Sequence, residues 1–219
     1  MIRTTLILTS AAAVALAVGA CSFHIQTDGP HTVQTRTVGS FDHVDLRGST
    51  DVVVTHGPSG TLSVSGGRNR VRDVVTRVHD GTLIVDERDS GTTLHLGDDG
   101  PTVTVSTPSL VGARVGGSGD LSVNGLAGGP LQLRVDGSGD VAGHGRLTAL
   151  DAAVDGSGDL NLGGVVAQSA TVKLSGSGDA DVHAVRSLNA VVSGSGDISY
   201  AGNPRLTRDV SGSGDVSQR

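Results

Sequence analysis

The tetrapeptide Gly-Ser-Gly-Asp occurs six times, at Gly117–Asp120, Gly137–Asp140, Gly156–Asp159, Gly176–Asp179, Gly194–Asp197 and Gly212–Asp215. Successive copies begin 20, 19, 20, 18 and 18 residues apart. So steady a period marks a repeat architecture, and it constrains the fold more than any other feature of the chain. Two residues before each copy stand Val115, Val135, Val154, Leu174, Val192 and Val210; just after each aspartate stand Leu121, Val141, Leu160, Ala180, Ile198 and Val216. Polar residues such as Gln132, Arg134, Lys173, Asn161 and Asp181 alternate with these apolar columns. Period-two alternation on both sides of a glycine turn predicts two short strands per repeat, each with one buried face.

One such strand pair cannot bury its apolar face alone. Stacking the copies does so, with equivalent residues in columns about 4.8 Å apart. The fold class expected is therefore all-β: a parallel β-helix, or solenoid, of about 18–20 residues per coil, right-handed by the rule for parallel crossovers. An antiparallel meander is the competing fold. It gives the same alternation but no reason to repeat one turn at every second corner. A core of Val, Leu, Ile and Ala in thin layers also suits a chain with one Tyr, two Phe and no Trp.

Residues 1–20 read as an export signal. Arg3 supplies the positive start and Leu6 to Val18 an apolar run too short to span a bilayer comfortably. Val18-Gly19-Ala20-Cys21 resembles the lipobox of bacterial lipoproteins, which makes Cys21, the single cysteine, the expected lipid attachment residue and the membrane the expected partner. The alternative is a plain secretory signal with an incidental cysteine. An exported, cell-envelope location follows, with Ser22 pointing to the outer membrane in a Gram-negative cell. Residues 21–37 are polar and read as a tether around the Asp28-Gly29-Pro30 turn. Residues 38–219 form the β domain, with 38–110 its less regular part and 111–219 the regular repeats.

Within the less regular part, Gly48-Ser49-Thr50-Asp51 is a seventh, imperfect copy, with Val44, Leu46, Val52 and Val54 in the inward columns. Further strands are expected at Thr61–Ser65, Val71–Val78, Thr82–Val85, Thr92–Leu96 and Thr102–Ser106. The β-branched Val71, Val74, Val75 and Val78 favour strand over a brief helix. At the far end, Arg208 in an inward column and Ser217-Gln218-Arg219 read as a polar cap; the alternative is an end that docks onto another subunit.

The Gly-Ser-Thr-Asp-Val-Val-Val-Thr-His-Gly turn, the Thr61-Leu62-Ser63-Val64-Ser65-Gly66 strand, the Asp80-Gly81-Thr82-Leu83-Ile84-Val85 strand and the Ser-Gly-Ser-Gly-Asp turns together resemble a bacterial family called putative auto-transporter adhesin, head GIN domain. The resemblance covers about residues 38–219. It implies a β-helical fold and a cell-envelope location, and it transfers no catalytic residue.

Stacking would set Asp120, Asp140, Asp159, Asp179, Asp197 and Asp215 in a row, the candidate ligand-binding or structural turn row of the chain. At this spacing each neighbouring pair repels by roughly 1 kcal/mol in water-like surroundings. Compensation comes from backbone N–H donors, from bound cations or from raised pKa values. The N–H reading makes the row structural, with each glycine supplying a backbone conformation that other residues avoid. The cation reading makes it a weak Ca²⁺ site, although the Gly-Gly-x-Gly-x-Asp nonapeptide of calcium β-rolls is missing. No cofactor is expected. The eight histidines are scattered without metal-ligand spacing, and the repeated acids form no unique acid pair, so catalysis is not expected. A net charge of −6 argues against a nucleic-acid surface. The chain thus reads as a lipid-anchored, non-catalytic envelope protein: a binding or adhesion module for an envelope protein or polysaccharide, or a structural component that assembles into homo-oligomers.

Overall fold

The computed structural model describes residues 24–88, 93–96 and 100–219. The expected export segment, Cys21, Ser22 and Thr92 lie outside the described residues. The first part of the chain contains β1 (His24–Thr27), β2 (His31–Thr37), β3 (His43–Leu46), β4 (Asp51–His56), β5 (Thr61–Gly67), the helix α1 (Arg68–Asp73), β6 (Val74–His79), β7 (Thr82–Glu87), β8 (Thr93–Leu96) and β9 (Thr102–Thr107). The repeats supply β10 (Gly112–Val115), β11 (Leu121–Ala127), β12 (Pro130–Val135), β13 (Val141–Val154), β14 (Leu160–Leu174), β15 (Ala180–Gly194), β16 (Ile198–Ala201), β17 (Arg205–Gly212) and β18 (Val216–Gln218).

The result is a parallel β-solenoid of about five turns. Leu46, Val115, Val135, Val154, Leu174, Val192 and Val210 are successive register partners before the corner. Val52, Leu121, Val141, Leu160, Ala180, Ile198 and Val216 are the corresponding partners after it. All of these except Val210 are buried. Each buried Val or Leu contributes roughly 1.5–3 kcal/mol, and the columns repeat that contribution coil after coil. The seventh copy belongs to the same stack, and the meander is excluded by the parallel pairing.

The order of the coils departs from the order of the chain. β3 lies between β7 and β10, and β4 between β9 and β11. The chain therefore builds its second layer first, drops back to make the layer beneath it, and then climbs. Antiparallel strands border that lowest layer: β6 pairs with β7, and β5 pairs with β9 and in turn with β2.

Two expectations need correction here. Residues 31–37 are not a tether: β2 pairs with β5 over its whole length. The strand is mostly exposed and buries no apolar stripe, so backbone pairing rather than hydrophobic burial holds it. The strand expected at Val71–Val78 begins only at Val74, and residues 71–73 belong to the helix α1; Val71 and Val74 are both buried, and the short helix lets the chain cross the end of the core. Arg36 fixes this turn by donating to the carbonyls of Val71 (3.1 Å) and Val74 (2.8 Å). Burial, helped by the nearby Arg88 charge, pulls the Arg36 pKa below its usual value.

At the opposite end, Arg208 stands above Ala190 in an inward column, and its guanidinium reaches across to the Val216 carbonyl at 3.4 Å. Gln218 donates to the Gly202 carbonyl, and Arg219 pairs with Asp181 at 2.9 Å.

Candidate functional site

The corner is built by the glycines. Most repeat glycines are not there for a left-handed backbone, as the turn reading supposed: only Gly212, at 134°, and Gly48 of the imperfect copy, at 97°, have such a φ. They are there because one coil lies directly on the next. A Cβ on Gly117, Gly137, Gly156, Gly176 or Gly194 would fall on the carbonyl of the equivalent glycine one coil below, and a Cβ on Gly139, Gly158, Gly178 or Gly196 would do the same at the second position. Close backbone approach, which only a residue without Cβ permits, is the reason for both glycines. It also explains the exception. Thr50 takes the second glycine position in the copy whose lower neighbour, β7 and the chain after it, carries no such tetrapeptide, and there a side chain fits.

This approach brings each serine amide onto the carbonyl of the first glycine below. Ser138 N donates to Gly117 at 3.0 Å, Ser157 to Gly137 at 3.1 Å, and Ser177 to Gly156 at 3.0 Å. The aspartates then form a ladder. The amide of Asp120 donates to Asp51 Oδ1 (3.0 Å), Asp140 to Asp120 (2.9 Å), Asp159 to Asp140, Asp179 to Asp159, Asp197 to Asp179, and Asp215 to Asp197 (each 2.8 Å). In return, the residue after each aspartate donates to the next aspartate's carbonyl, as Val141 N does to Asp159 at 2.8 Å.

Each carboxylate thus stands in for a backbone acceptor at the place where the ladder turns the corner. A charged acceptor makes a stronger bond than a neutral one, and the six amides offset the repulsion along the row. The bottom rung is different. Below Asp51 the coil contributes Glu87, which accepts from Thr50 Oγ1 (2.7 Å), Ser49 Oγ (3.0 Å) and the Ser49 amide (3.2 Å). Asp51 and Glu87 extend the row at its lower end. Asp51 was visible in the imperfect seventh copy; Glu87 carries no repeat signal and only the coil order reveals it.

Among the described residues, no group of three or more His, Cys, Asp or Glu side chains is placed to hold a metal ion. The row presents alternating serine hydroxyls and carboxylates, and one oxygen of every carboxylate but that of Asp215 is occupied by the protein's own amides. Its chemistry is that of a seam: it joins coils through charge-assisted hydrogen bonds.

A polar seam of this kind along one corner of a parallel coil, with polar strand faces beside it, defines a repetitive parallel β-solenoid. More particularly, the chain belongs to the family described as putative auto-transporter adhesin, head GIN domain, whose model matches residues 40–204. The fold is similar to that of a putative adhesin from Bacteroides fragilis NCTC 9343, with a TM-score of 0.70 at 20% identity over 89% of this chain and 100% of that one. It is also similar to a putative lipid binding protein from Parabacteroides distasonis ATCC 8503, with a TM-score of 0.51 at 20% identity over 89% of this chain and 99% of that one. No curated protein matches the sequence.

Proposed function

We propose that the protein is a non-catalytic, lipid-anchored module of the cell envelope that binds a surface partner, an envelope protein or polysaccharide, through the outer faces of its solenoid. The observation that carries this reading is the division of labour between corner and face. The repeated polar residues at the corner are engaged with their own neighbours, whereas the exposed strand positions differ from coil to coil, as at Arg114, Arg134, Ala153 and Lys173. A scaffold that repeats and a face that varies suit recognition. The export signal and the cysteine at position 21 support the anchor. Replacing Cys21 by alanine and fractionating the cells tests it: the wild type is expected with the membranes and the variant in the soluble export fraction. A variant that stays with the membranes removes the anchor from the proposal.

A second reading, self-association, is favoured by one observation. Among the described residues β17 pairs only with β15 and β18 only with β16, so each presents an open edge. Sedimentation across a range of concentrations separates the readings, since binding to a foreign partner needs no concentration-dependent assembly.

A further inference from the structure

The outer face of the strands before the corner carries a groove of about 480 Å³ that runs across six stacked strands, β7, β3, β10, β12, β13 and β14. Its walls are Arg114, Gln132, Arg134, Asp151 and Lys173, and Ala153 lies in its floor. Arg114 and Arg134 are register partners on adjacent coils, an arrangement of like charges that destabilises a sheet unless it is compensated. Asp136 supplies compensation for both: its two oxygens meet Arg114 Nε and Arg134 Nε at 2.7 Å each. One carboxylate serves two guanidiniums, so positive charge is left over; the Arg134 contact is a hydrogen bond and fixes that guanidinium, while the Arg114 contact is an ion pair without hydrogen-bond geometry. Arg134 spends one donor on this bond, which leaves its remaining donors and the Arg114 fork for a ligand. Both arginine side chains are more than half exposed, while Asp136 is 19% exposed beneath them.

Lys173 lies in the same row two coils beyond Arg134, roughly 10 Å away at the spacing of a sheet, with the short Ala153 between. Gly112, one coil below Gln132, leaves room for the His43 imidazole, which closes the near end of the groove. The groove therefore offers two cationic stations separated by a trough, with the Gln132 amide and the Asp151 carboxylate beside it. Asp45, the other acid of this face, is already paired with Arg47.

From this arrangement we infer that the groove binds an acidic polysaccharide, a chain of uronic-acid units, which rests on the reading of the protein as a binding module. The carboxylates of such a chain meet the arginine pair and Lys173, and its hydroxyls exchange hydrogen bonds with Gln132 and Asp151. A mixed set of cations with one amide and one carboxylate matches a ligand that carries both carboxylates and hydroxyls. An acidic peptide fits less well: β10, β12, β13 and β14 are paired within the sheet at this face, so no free backbone edge is offered to a peptide strand.

The test is binding of a labelled oligogalacturonate and of a neutral dextran oligomer of equal length to the whole protein at physiological salt. The wild type is expected to bind the uronate at least about tenfold more tightly than the dextran. Arg114→Gln with Arg134→Gln, and separately Ala153→Leu, are each expected to weaken uronate binding by about tenfold or more. Arg146→Gln, an exposed cation outside the groove, is expected to leave it unchanged. Should the double variant fail to fold by circular dichroism, Ala153→Leu, which keeps every charge, decides the matter. Equal affinity for dextran, no uronate binding, or an equal loss in Arg146→Gln each overturns the inference. The export and anchoring reading is judged by the fractionation of Cys21→Ala, so the two fail separately.

Discussion

The strongest claim of the structure is that the repeat glycines are demanded by contact between coils, and Gly158→Ala tests it. A Cβ there falls on the carbonyl oxygen of Gly139, with the carbonyl carbon at 3.0 Å and Val135 Cγ1 at 3.1 Å. Carbon atoms prefer about 3.5–4.0 Å, so the gap between these two coils must open by roughly 1 Å where backbone meets backbone. Two bonds cross that gap beside the substitution: Ser157 N to Gly137 O at 3.1 Å and Asp159 N to Asp140 Oδ1 at 2.8 Å. Stretching both beyond hydrogen-bonding range costs about 1 kcal/mol for the neutral one and roughly 1.5 kcal/mol for the charged, half-exposed one. Overpacking adds about 1–3 kcal/mol. The sum, roughly 3.5–5.5 kcal/mol, predicts a fall in melting temperature on the order of 10 °C for a domain of this size. The assay is thermal and urea unfolding followed by circular dichroism, with Gly129→Ala as the reference. Gly129 has open space around its Cβ position and no left-handed φ, so alanine there is expected to change stability by less than about 0.5 kcal/mol. If Gly158→Ala proves as mild as Gly129→Ala, the contact argument is wrong.

Three further outcomes follow from the seam. Asp140→Ala removes the acceptor for Asp159 N and should cost roughly 1–2 kcal/mol, whereas Asp215→Ala, with no amide bonded to its carboxylate, should be near neutral in the same melts. Glu87→Ala strips the acceptor shared by Ser49 and the buried Thr50 and should destabilise by about 2 kcal/mol, with hydrogen exchange accelerated first at the Ser49 amide. Chelation should leave the melting temperature unchanged, because amides already compensate the carboxylate row. A fall on adding EDTA that Ca²⁺ reverses would revive the cation reading.

The regular coils were legible because their information is periodic: inward apolar columns and a corner motif fix register without knowledge of partners. Even Asp51 could be found, since Gly48-Ser49-Thr50 preserves the pattern around it. What stayed hidden depended on contacts between residues distant in sequence. β2 has no apolar alternation to detect, because an edge strand held by its neighbour's backbone needs none, although its three threonines were a weak hint. Val71 belongs to a helix because a short connection must cross the end of the core, which overrides β-branched propensity. The glycines were correctly singled out but for the wrong cause, since most of their φ angles are ordinary and the crowding comes from another coil. Glu87 and the Arg114–Asp136–Arg134 group lie outside the motif and become visible only when the coils are placed in order.

That order bears on how the molecule yields to pulling. A load entering from the N-terminal side strips β1 from β8 and β2 from β5, then reaches β3, which is gripped along both edges by strands written much later in the chain. A load entering from the other side meets β18 and then β17, each gripped along one edge, and can unzip the repeats one after another. A domain tethered near its first residues would thus hold fast at its root while giving way gradually at its tip, like a rope whose knot is tied near the anchor.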